Sequence, residues 1–439
     1  MTLAPDDYTD EPTTPDDLPR GAALLTSDSG GDAGDGETNP ALLVLVLAFF
    51  GFLGWLGITY LLFVLALVFM IFLHELGHFL TARWTGMKAT QFFIGFGPTV
   101  FSFRRGETEY GLKAIPAGAF VRIIGMNNLD PVDPADEPRA YRNASYPRRM
   151  LVITAGSLMH FAQAVVVFAL AFSVFGVRMP ENSWTISTLS MLDDGSPAPS
   201  IQAGLETGDR LVSVDGVPAV PFAEMATYIQ ARPGETVTLE VARDADGDAS
   251  TPDEVLTTQA TLASLPQPDG TVTGFLGVGP TYDRSTPGVL FGVEHFADQL
   301  TASVTAIPQF FSPSSLANLA SLMGQGSEEV DLTDDEAATR PVSMVGVVRI
   351  AGDSEVDWIG RLLLFGSINV FVGAINLVPL LPLDGGHAAI GTYERLRSWR
   401  GRRHHADVAK LMPLTYAVVG LLGFIFVSTV WLDIFRPIS

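Results

Sequence analysis

One short stretch of the chain carries residue types that together could hold a metal ion and hydrolyse a bond. Positions 74–78 read His-Glu-Leu-Gly-His, an H-E-x-x-H pattern. Residues four positions apart share one face of a helix, so His74 and His78 can direct both imidazoles at one ion. Glu75 lies beside them, where its carboxylate can take a proton from an attacking water. The pattern predicts metal-assisted hydrolysis, against the alternative of a solvated polar helix end.

Two histidines do not complete such a site, because hydrolytic zinc sites usually have three protein ligands and one open position. The chain has no cysteine and only seven histidines, so we expect a His, Asp or Glu ligand from another helix. Asp384 is the candidate. It lies at the end of an apolar stretch (361–383) that could cross a membrane, and it is expected to lie at the same depth in the membrane as the two histidines. An aspartate before two glycines is more commonly a turn residue. His387 is a rival ligand or a group that supports one.

The residues around Asp384 predict a broken helix. Pro379 and Pro382 lack the backbone N–H that a helix interior needs. Gly385 and Gly386 permit unusual backbone angles. Irregular backbone at membrane depth persists only where it is buried in protein or lines a wet cavity. We therefore expect this segment to belong to a functional site.

Long apolar stretches must position these residues. Only 17% of the residues are charged, against roughly 25% in soluble domains, so a purely cytosolic enzyme is unlikely from composition. Residues 41–82 are almost continuously apolar, and a single helix of that length would reach about 63 Å, twice the ~30 Å hydrocarbon core. We favour an extra transmembrane or interfacial segment at 41–56 before a catalytic helix at 57–82, over one long projecting helix. Ionisable residues inside such a helix are usually functional.

The charges predict both the topology and one excluded partner. The chain has 48 acidic and 26 basic residues, a net charge of −22, so nucleic acid is not an expected partner. Segments 83–149 and 389–410 hold ten and six Lys or Arg residues, whereas 178–361 holds eight. Because short basic loops stay on the cytoplasmic side, we expect these two loops in the cytoplasm and the region between them outside.

The motifs resemble those of the site-2 protease family of intramembrane zinc metalloproteases. The resemblance rests on the H-E-x-x-H motif and on the Asn376-x-x-Pro379-x-x-Pro382-x-Asp384-Gly385 motif. Residues 93–120 also look like the membrane-associated β-loop of that family, in its bacterial branch with a PDZ domain, especially the actinobacterial regulators of envelope stress. The likeness covers about 57–290 and 341–435. It leaves the acidic tail and the 41–55 run unexplained.

The resemblance implies roles for these residues. His74, His78 and Asp384 would bind one zinc ion per chain, and Glu75 would activate the water. Asn376, Pro379 and Pro382 would hold an unwound substrate near the metal. Strands of the 92–124 loop would offer an edge to an extended substrate backbone, a mode that supplies backbone hydrogen bonds; the alternative is that they only cap the inner face.

The chain departs from the family pattern at one position. Many members carry Gly-Pro-x-x-Asn in the span after the loop, whereas this chain has Gly156 and Ser157 followed by His160 in place of Asn. His160 could be an extra ligand, a proton shuttle or a hydrogen-bonding substitute for Asn, and we rank the substitute first. The departure affects only the expected substrate contact of Gly156 and His160.

Residues 183–264 resemble a PDZ domain. The run from Ala203 to Pro218 has a Gly–Asp turn, an alternating strand and an Asp–Gly turn, which indicate a β-hairpin. A helix is predicted at 221–231 and a strand at 237–241. PDZ domains capture peptides by strand addition, and in this family the domain is thought to filter substrates by size. A purely structural spacer is the alternative.

The fold predicted is a polytopic α-helical membrane protein with a site-2 protease transmembrane core, a membrane-associated β-loop and one extracytoplasmic PDZ domain. Its parts are a disordered acidic tail (1–40), the possible extra span (41–56), the catalytic helix (57–82), a cytoplasmic loop with a β-hairpin (83–149), a span (150–178), the PDZ domain (183–264), an extracytoplasmic linker with amphipathic helices that could gate the site (265–358), the Asp384 span (359–388), a basic cytoplasmic loop (389–410) and a last span (411–433).

The resemblance also implies a function and its partners. Substrates would be single-span proteins in the lipid bilayer, such as anti-sigma factors or remnant signal peptides, cut after their outer domain has been removed. The PDZ domain would take a peptide ligand. Two other classes stay open. A metal transporter should show repeated halves, and a PDZ-bearing scaffold without protease activity would not need Glu75.

Overall fold

The computed structural model describes most of the chain. The described residues are 38–126, 130–180, 184–192, 195–219, 222–243, 254–267, 271–324, 341–354, 356–398, 404 and 406–435. The predicted disordered tail lies almost wholly outside them, as do Arg400, Arg402 and Arg403 of the basic 389–410 loop.

Eleven labelled helices organise the described residues. They are α1 (Pro40–Leu56), α2 (Ile58–Trp84), α3 (Tyr146–Leu170), α4 (Pro199–Gln202), α5 (Phe222–Gln230), α6 (Val289–Phe310), α7 (Pro313–Gly324), α8 (Met344–Gly352), α9 (Trp358–Asn376), α10 (Asp384–Arg397) and α11 (Met412–Phe435). Helix α3 continues through a wider turn to Phe175, and a short 3₁₀ turn at Val408–Leu411 leads into α11.

Four helical segments within the described part of the chain are long and apolar enough to cross a membrane. They are Ile58–Trp84, Tyr146–Phe175, Trp358–Asn376 and Val408–Phe435. Helix α1 is apolar but has only 17 residues, about 25 Å of helix. The chain breaks at Gly57, so residues 41–82 form two helices and not one long one. Whether α1 spans the bilayer remains a prediction.

A small sheet lies at the C-terminal end of α2. Strands β1 (Ala89–Arg105) and β2 (Thr108–Ile123) each bend, so that Gln91–Ile94 lies between the two halves of β2. The sheet therefore has two edges, one in the second half of β1 and one at Ala119–Ile123. Phe92 and Tyr110 pack with Phe79 of α2, and this aromatic cluster fixes the sheet against the helix that carries the H-E-x-x-H motif.

A β-rich domain follows α3. Its strands are β3 (Val177–Pro180), β4 (Ile186–Leu189), β5 (Arg210–Val214), β6 (Val217–Pro218), β7 (Thr236–Arg243), β8 (Glu254–Thr261), β9 (Ala263–Pro266), β10 (Val272–Phe275), β11 (Val278–Pro280) and β12 (Tyr282–Ser285). The predicted hairpin is β5–β6, in which Asp215 and Gly216 both have positive φ, as a tight two-residue turn requires. A helix and a strand also occur where they were predicted, as α5 and β7.

This domain extends beyond the boundary predicted at residue 264. Leu276 belongs to the same buried core as Leu211 and Val237, and β11 pairs with β4. Strand β12 pairs with β3, so the segments that enter and leave the domain form a two-stranded ribbon. The sequence boundary was set too early because β9–β12 are short strands with weak apolar alternation.

The helices after this domain pack against the membrane-spanning helices. On α6, His295 contacts Phe168 and Phe172 of the α3 segment. Ala351 of α8 is buried in a cluster with Phe63 and Met70 of α2. The 265–358 region, predicted as linker and amphipathic helices, therefore includes helices that are part of the packed bundle.

Candidate metal centre

Three side chains from two separate helices converge on one point. The Nε2 atoms of His74 and His78 on α2 are 3.1 Å apart. Asp384 Oδ2, at the start of α10, lies 3.4 Å from His74 Nε2 and 3.2 Å from His78 Nε2. Zinc bonds to N and O are about 2.0–2.2 Å long, so the ligand atoms of a tetrahedral site lie about 3.3 Å apart. The three distances match the edges of such a site.

The hydrogen bonds of these side chains leave the converging atoms available. His78 Nδ1 lies 2.7 Å from the backbone oxygen of Val152 on α3, so Nδ1–H donates and Nε2 keeps its lone pair. Asp384 Oδ2 is buried and has no hydrogen-bond partner among the described residues. A buried carboxylate oxygen without a partner is costly. The donor set therefore fits a zinc ion.

Gly156 provides the space for this convergence. It lies on α3, and a Cβ at this position would be 2.4 Å from both His74 Cε1 and His78 Nε2. Gly77, inside the H-E-x-x-H motif, has the same role on the facing helix, because its Cβ would be 2.8 Å from the Ala155 oxygen. The sequence assigned Gly156 to substrate binding, whereas the structure places it directly against the two imidazoles.

Substitution of Gly156 by alanine is expected to weaken zinc binding by at least about tenfold, since the added methyl group must displace one imidazole. Zinc affinity measured by chelator competition would check this. Gly423→Ala on α11, where a Cβ would meet nothing within 4 Å, is the matched control and should bind zinc as the unchanged protein does. Equal affinity of the Gly156→Ala protein would contradict the prediction.

The expected helix break lies directly before Asp384. Helix α9 ends at Asn376 and α10 begins at Asp384, so the segment with Pro379 and Pro382 is non-helical, as expected. The freedom of Gly385 and Gly386 to adopt unusual backbone angles is not used. Both residues lie in the first turn of α10, and neither has a positive φ.

Close packing explains the two glycines instead. A Cβ on Gly385 would be 2.3 Å from the backbone oxygens of Leu377 and Val378, and one on Gly386 would be 2.6 Å from the Leu381 nitrogen. The absence of side chains lets the 377–383 segment fold back against the start of α10. That contact holds Asp384 close to the irregular segment.

Glu75 is half-buried and lies next to His74, His78 and Asp384, the trio of converging side chains, where α2 faces the sheet. Its carboxylate lies near the backbone N–H of Val121 in β2. The residue is therefore positioned between the two imidazoles and the Ala119–Ile123 edge. This position suits a group that moves a proton between a water and a substrate held at that edge.

His160 lies in the same region but outside the trio. Within the part of the chain that the structure describes, the acid and imidazole groups placed to share a metal ion are His74, His78 and Asp384. His160 Nδ1 instead donates to Asn369 Oδ1 at 3.0 Å, and its ring centre is 4.9 Å from that of His74. This geometry supports the hydrogen-bonding substitute. His387 also lies outside the trio.

Asn369 was missed by the sequence reasoning. It is fully buried on α9, where its Nδ2 also donates to the Phe365 oxygen. An amide in the middle of an apolar span is a signal that could have found it. Asn376, by contrast, is the last residue of α9, and Pro379 lines a cavity of about 620 Å³ between α10 and α11. The substrate role expected of these two residues and of Pro382 remains a prediction.

Comparisons with known proteins agree with this geometry. The model of Peptidase family M50 matches residues 62–420. The chain is 35% identical to zinc metalloprotease Rip1 of Mycobacterium tuberculosis (strain H37Rv) over 393 residues, which cover 83% of this chain and 94% of the relative. It is 33% identical to zinc metalloprotease Rip1 of Mycolicibacterium smegmatis, covering 84% and 95%. A putative zinc metalloprotease of Rhizobium meliloti is 27% identical, covering 74% and 84%.

These matches define the class of protein. The chain belongs to Peptidase family M50, the site-2 protease family. It is a zinc metalloprotease of the site-2 type, and its four apolar helices make it a multi-pass membrane protein.

Proposed function

We propose that this protease cuts single-span membrane proteins inside the lipid, with zinc held by His74, His78 and Asp384 and with Glu75 as general base. The observation that carries the proposal is the convergence of three ligand atoms, from two distant stretches of chain, at 3.1–3.4 Å. The neighbouring carboxylate of Glu75 distinguishes this arrangement from a metal-transport site, and the chain lacks repeated halves.

The residues divide the chemistry between them. A zinc ion supplies Lewis acidity and lowers the pKa of a water towards about 7. Glu75 accepts the proton of the attacking water and then passes it to the leaving amine of the substrate. Val152 holds His78 in the tautomer that leaves Nε2 available, and Gly156 keeps the space beside both imidazoles open.

The sheet supports strand addition as the mode of substrate binding, and its two edges differ. The edge in the second half of β1 is covered by the chain itself, because Thr38 pairs with Phe101 and the Asn39 N–H donates to the Val100 oxygen at 2.7 Å. At the other edge, Ala119–Ile123 has no further strand beside it among the described residues. That edge also borders Glu75. We therefore assign substrate addition to Ala119–Ile123.

Cysteine crosslinking tests this assignment, and the natural chain has no cysteine to interfere. With a substrate that carries one cysteine near the cut bond, the Arg122→Cys protein is expected to form a disulfide. The Phe103→Cys protein, exposed on the covered edge, is the control and should form several-fold less. Equal crosslinking at both positions would refute the edge assignment.

The β-rich domain fits the proposed PDZ role in its hairpin and helix order. An ion pair joins two of its segments: Arg243 contacts both oxygens of the buried Asp209 at 2.7 and 2.8 Å. Asp209 Oδ2 also accepts the Glu206 N–H. We propose that this domain lies outside the cytoplasm and admits only substrates whose outer part has been removed. The basic loops would then face the cytoplasm, with the metal centre near that side.

Capture of substrates tests the function as a whole. Membrane proteins that copurify with a Glu75→Gln variant, compared with those that copurify with the active enzyme, should include single-span proteins such as anti-sigma factors or remnant signal peptides. Cleavage of these proteins by the purified enzyme, with about one zinc per chain, would support the protease. Metal transport into vesicles without cleavage would favour a transporter, and neither activity would favour a scaffold.

A further inference from the structure

The helix that begins with Asp384 is anchored by a buried ion pair at its other end. Arg149, in the first turn of α3, has its Nη1 2.7 Å from Glu394 Oε2 near the end of α10. The two side chains are only 11% and 10% exposed. Glu394 Oε1 also accepts the backbone N–H of Ala406, so the same carboxylate ties down the chain that leads to α11.

The surroundings of Arg149 leave Glu394 as the group that balances its charge. The Arg149 guanidinium lies over the ring of Tyr141, 4.9 Å from its centre. Burial raises the pKa of Tyr141 to about 12, so the phenol stays neutral at physiological pH. Arg149 Nε is buried and has no hydrogen-bond partner among the described residues. Loss of the Glu394 charge would therefore leave a buried cation without compensation, which is strongly destabilising for the local contact.

A second contact joins the same two helices on the other side. The hydroxyl oxygens of Tyr146 on α3 and Thr392 on α10 lie 3.2 Å apart. Between the two contacts, a Cβ on Gly391 would be 2.8 Å from Met150 Cε and 3.4 Å from Arg149 Nη2, so the glycine leaves room for these two side chains where α10 meets α3.

These contacts bracket the face of α10 that carries Asp384. At 3.6 residues per turn, Ala388 and Gly391 lie within about 40° of Asp384 around the helix axis. Thr392 lies about 80° to one side and Glu394 about 80° to the other. Contacts on both sides of the face formed by Asp384, Ala388 and Gly391 oppose rotation of the helix in either direction. Because a side chain extends about 5 Å from the axis, a 20° rotation would move the Asp384 carboxylate by about 2 Å.

We propose that the Arg149–Glu394 ion pair, with the Tyr146–Thr392 contact, sets the rotation of α10 and thereby keeps Asp384 within coordinating reach of His74 and His78. Arg149 and Glu394 are positioning residues, and Glu394 lies nearly three helical turns after Asp384 on α10. This inference rests on the proposed ligand role of Asp384. Zinc distances tolerate only about 0.2 Å of error, so a displacement of 2 Å is enough to lose the carboxylate from the site.

The test measures zinc affinity of the full-length protein in detergent, stripped of metal and titrated against a chromogenic chelator. Glu394→Gln is expected to weaken zinc binding about tenfold or more, and Glu394→Asp to a smaller extent. The visible spectrum of the cobalt-substituted protein should change, because it reports the number and geometry of the ligands. Arg149→Met and Glu394→Gln are also combined in one protein. Because the two residues act as a unit, the double variant should bind zinc no more weakly than whichever single variant binds it less tightly.

A matched control separates positioning from general stability. Asp209→Asn breaks a buried arginine–aspartate pair in the β-rich domain, far along the chain from the metal centre, and should leave zinc affinity and the cobalt spectrum unchanged. Thermal unfolding of each metal-free variant is recorded alongside. If Glu394→Gln does not fold, Glu394→Asp and Thr392→Val decide the matter.

Unchanged affinity and spectrum in the folded Glu394 and Thr392 variants would overturn the inference. An equal loss of affinity in Asp209→Asn would do the same. Failure of the proposed function gives a different result. In that case Asp384→Asn would bind zinc as tightly as the unchanged protein, whatever the Glu394 variants do.

Discussion

Replacement of Glu75 by glutamine is expected to reduce cleavage by at least 10²–10⁴-fold, roughly the contribution of a positioned general base, while zinc still binds. Glutamine has nearly the same shape but cannot accept the proton of the attacking water. The three converging ligand atoms belong to other residues, so the metal centre should keep its occupancy. Cleavage of a single-span reporter in detergent and zinc content per chain would measure the two effects separately.

The control for this prediction is the same chemical change at an exposed position. Glu224→Gln lies in the first turn of α5 in the β-rich domain, and we expect it to cleave a reporter without an outer domain at the normal rate. Normal turnover by the Glu75→Gln protein would refute the assigned general base. A loss of zinc together with activity would show instead that Glu75 supports the ligands.

The sequence predicted the candidate metal centre from two of its features. The spacing of His74 and His78 places both on one helix face whatever the rest of the chain does. Asp384 could be selected for two reasons. The chain has no cysteine that could serve as the third ligand, and few acidic residues lie at the end of an apolar span. The prolines around it predicted a break in the helix, although α9 already ends at Asn376, before the predicted end of the span.

The parts that were missed depend on packing between distant elements. Gly156 touches both imidazoles and Asn369 pairs with His160, yet each contact joins helices far apart in the chain. The sequence could not show the close packing of Gly385, because glycine allows both unusual backbone angles and close approach. The boundary of the β-rich domain was missed because β11 returns to pair with β4 across about 90 residues.

Replacement of Asp384 by asparagine is expected to weaken zinc binding by more than about 100-fold and to lower cleavage with it. Loss of an outer partner of a ligand already costs 10–100-fold in affinity, and here the ligand itself loses its charge. The amide oxygen is a poorer zinc donor than a carboxylate, and two imidazoles alone do not complete a hydrolytic site. Zinc affinity by chelator competition, with cleavage measured at saturating zinc, would check both effects.

Asp357→Asn provides a matched control on the opposite end of α9. Asp357 caps that helix by accepting the Gly360 N–H at 2.7 Å, and asparagine caps a helix equally well, so this variant should bind zinc and cleave normally. Normal zinc affinity in the Asp384→Asn protein would mean that another residue completes the site. His160 and His387 would then be the residues to replace next, because the His160 ring centre is 4.9 Å from that of His74 and His387 lies one turn after Asp384 on α10.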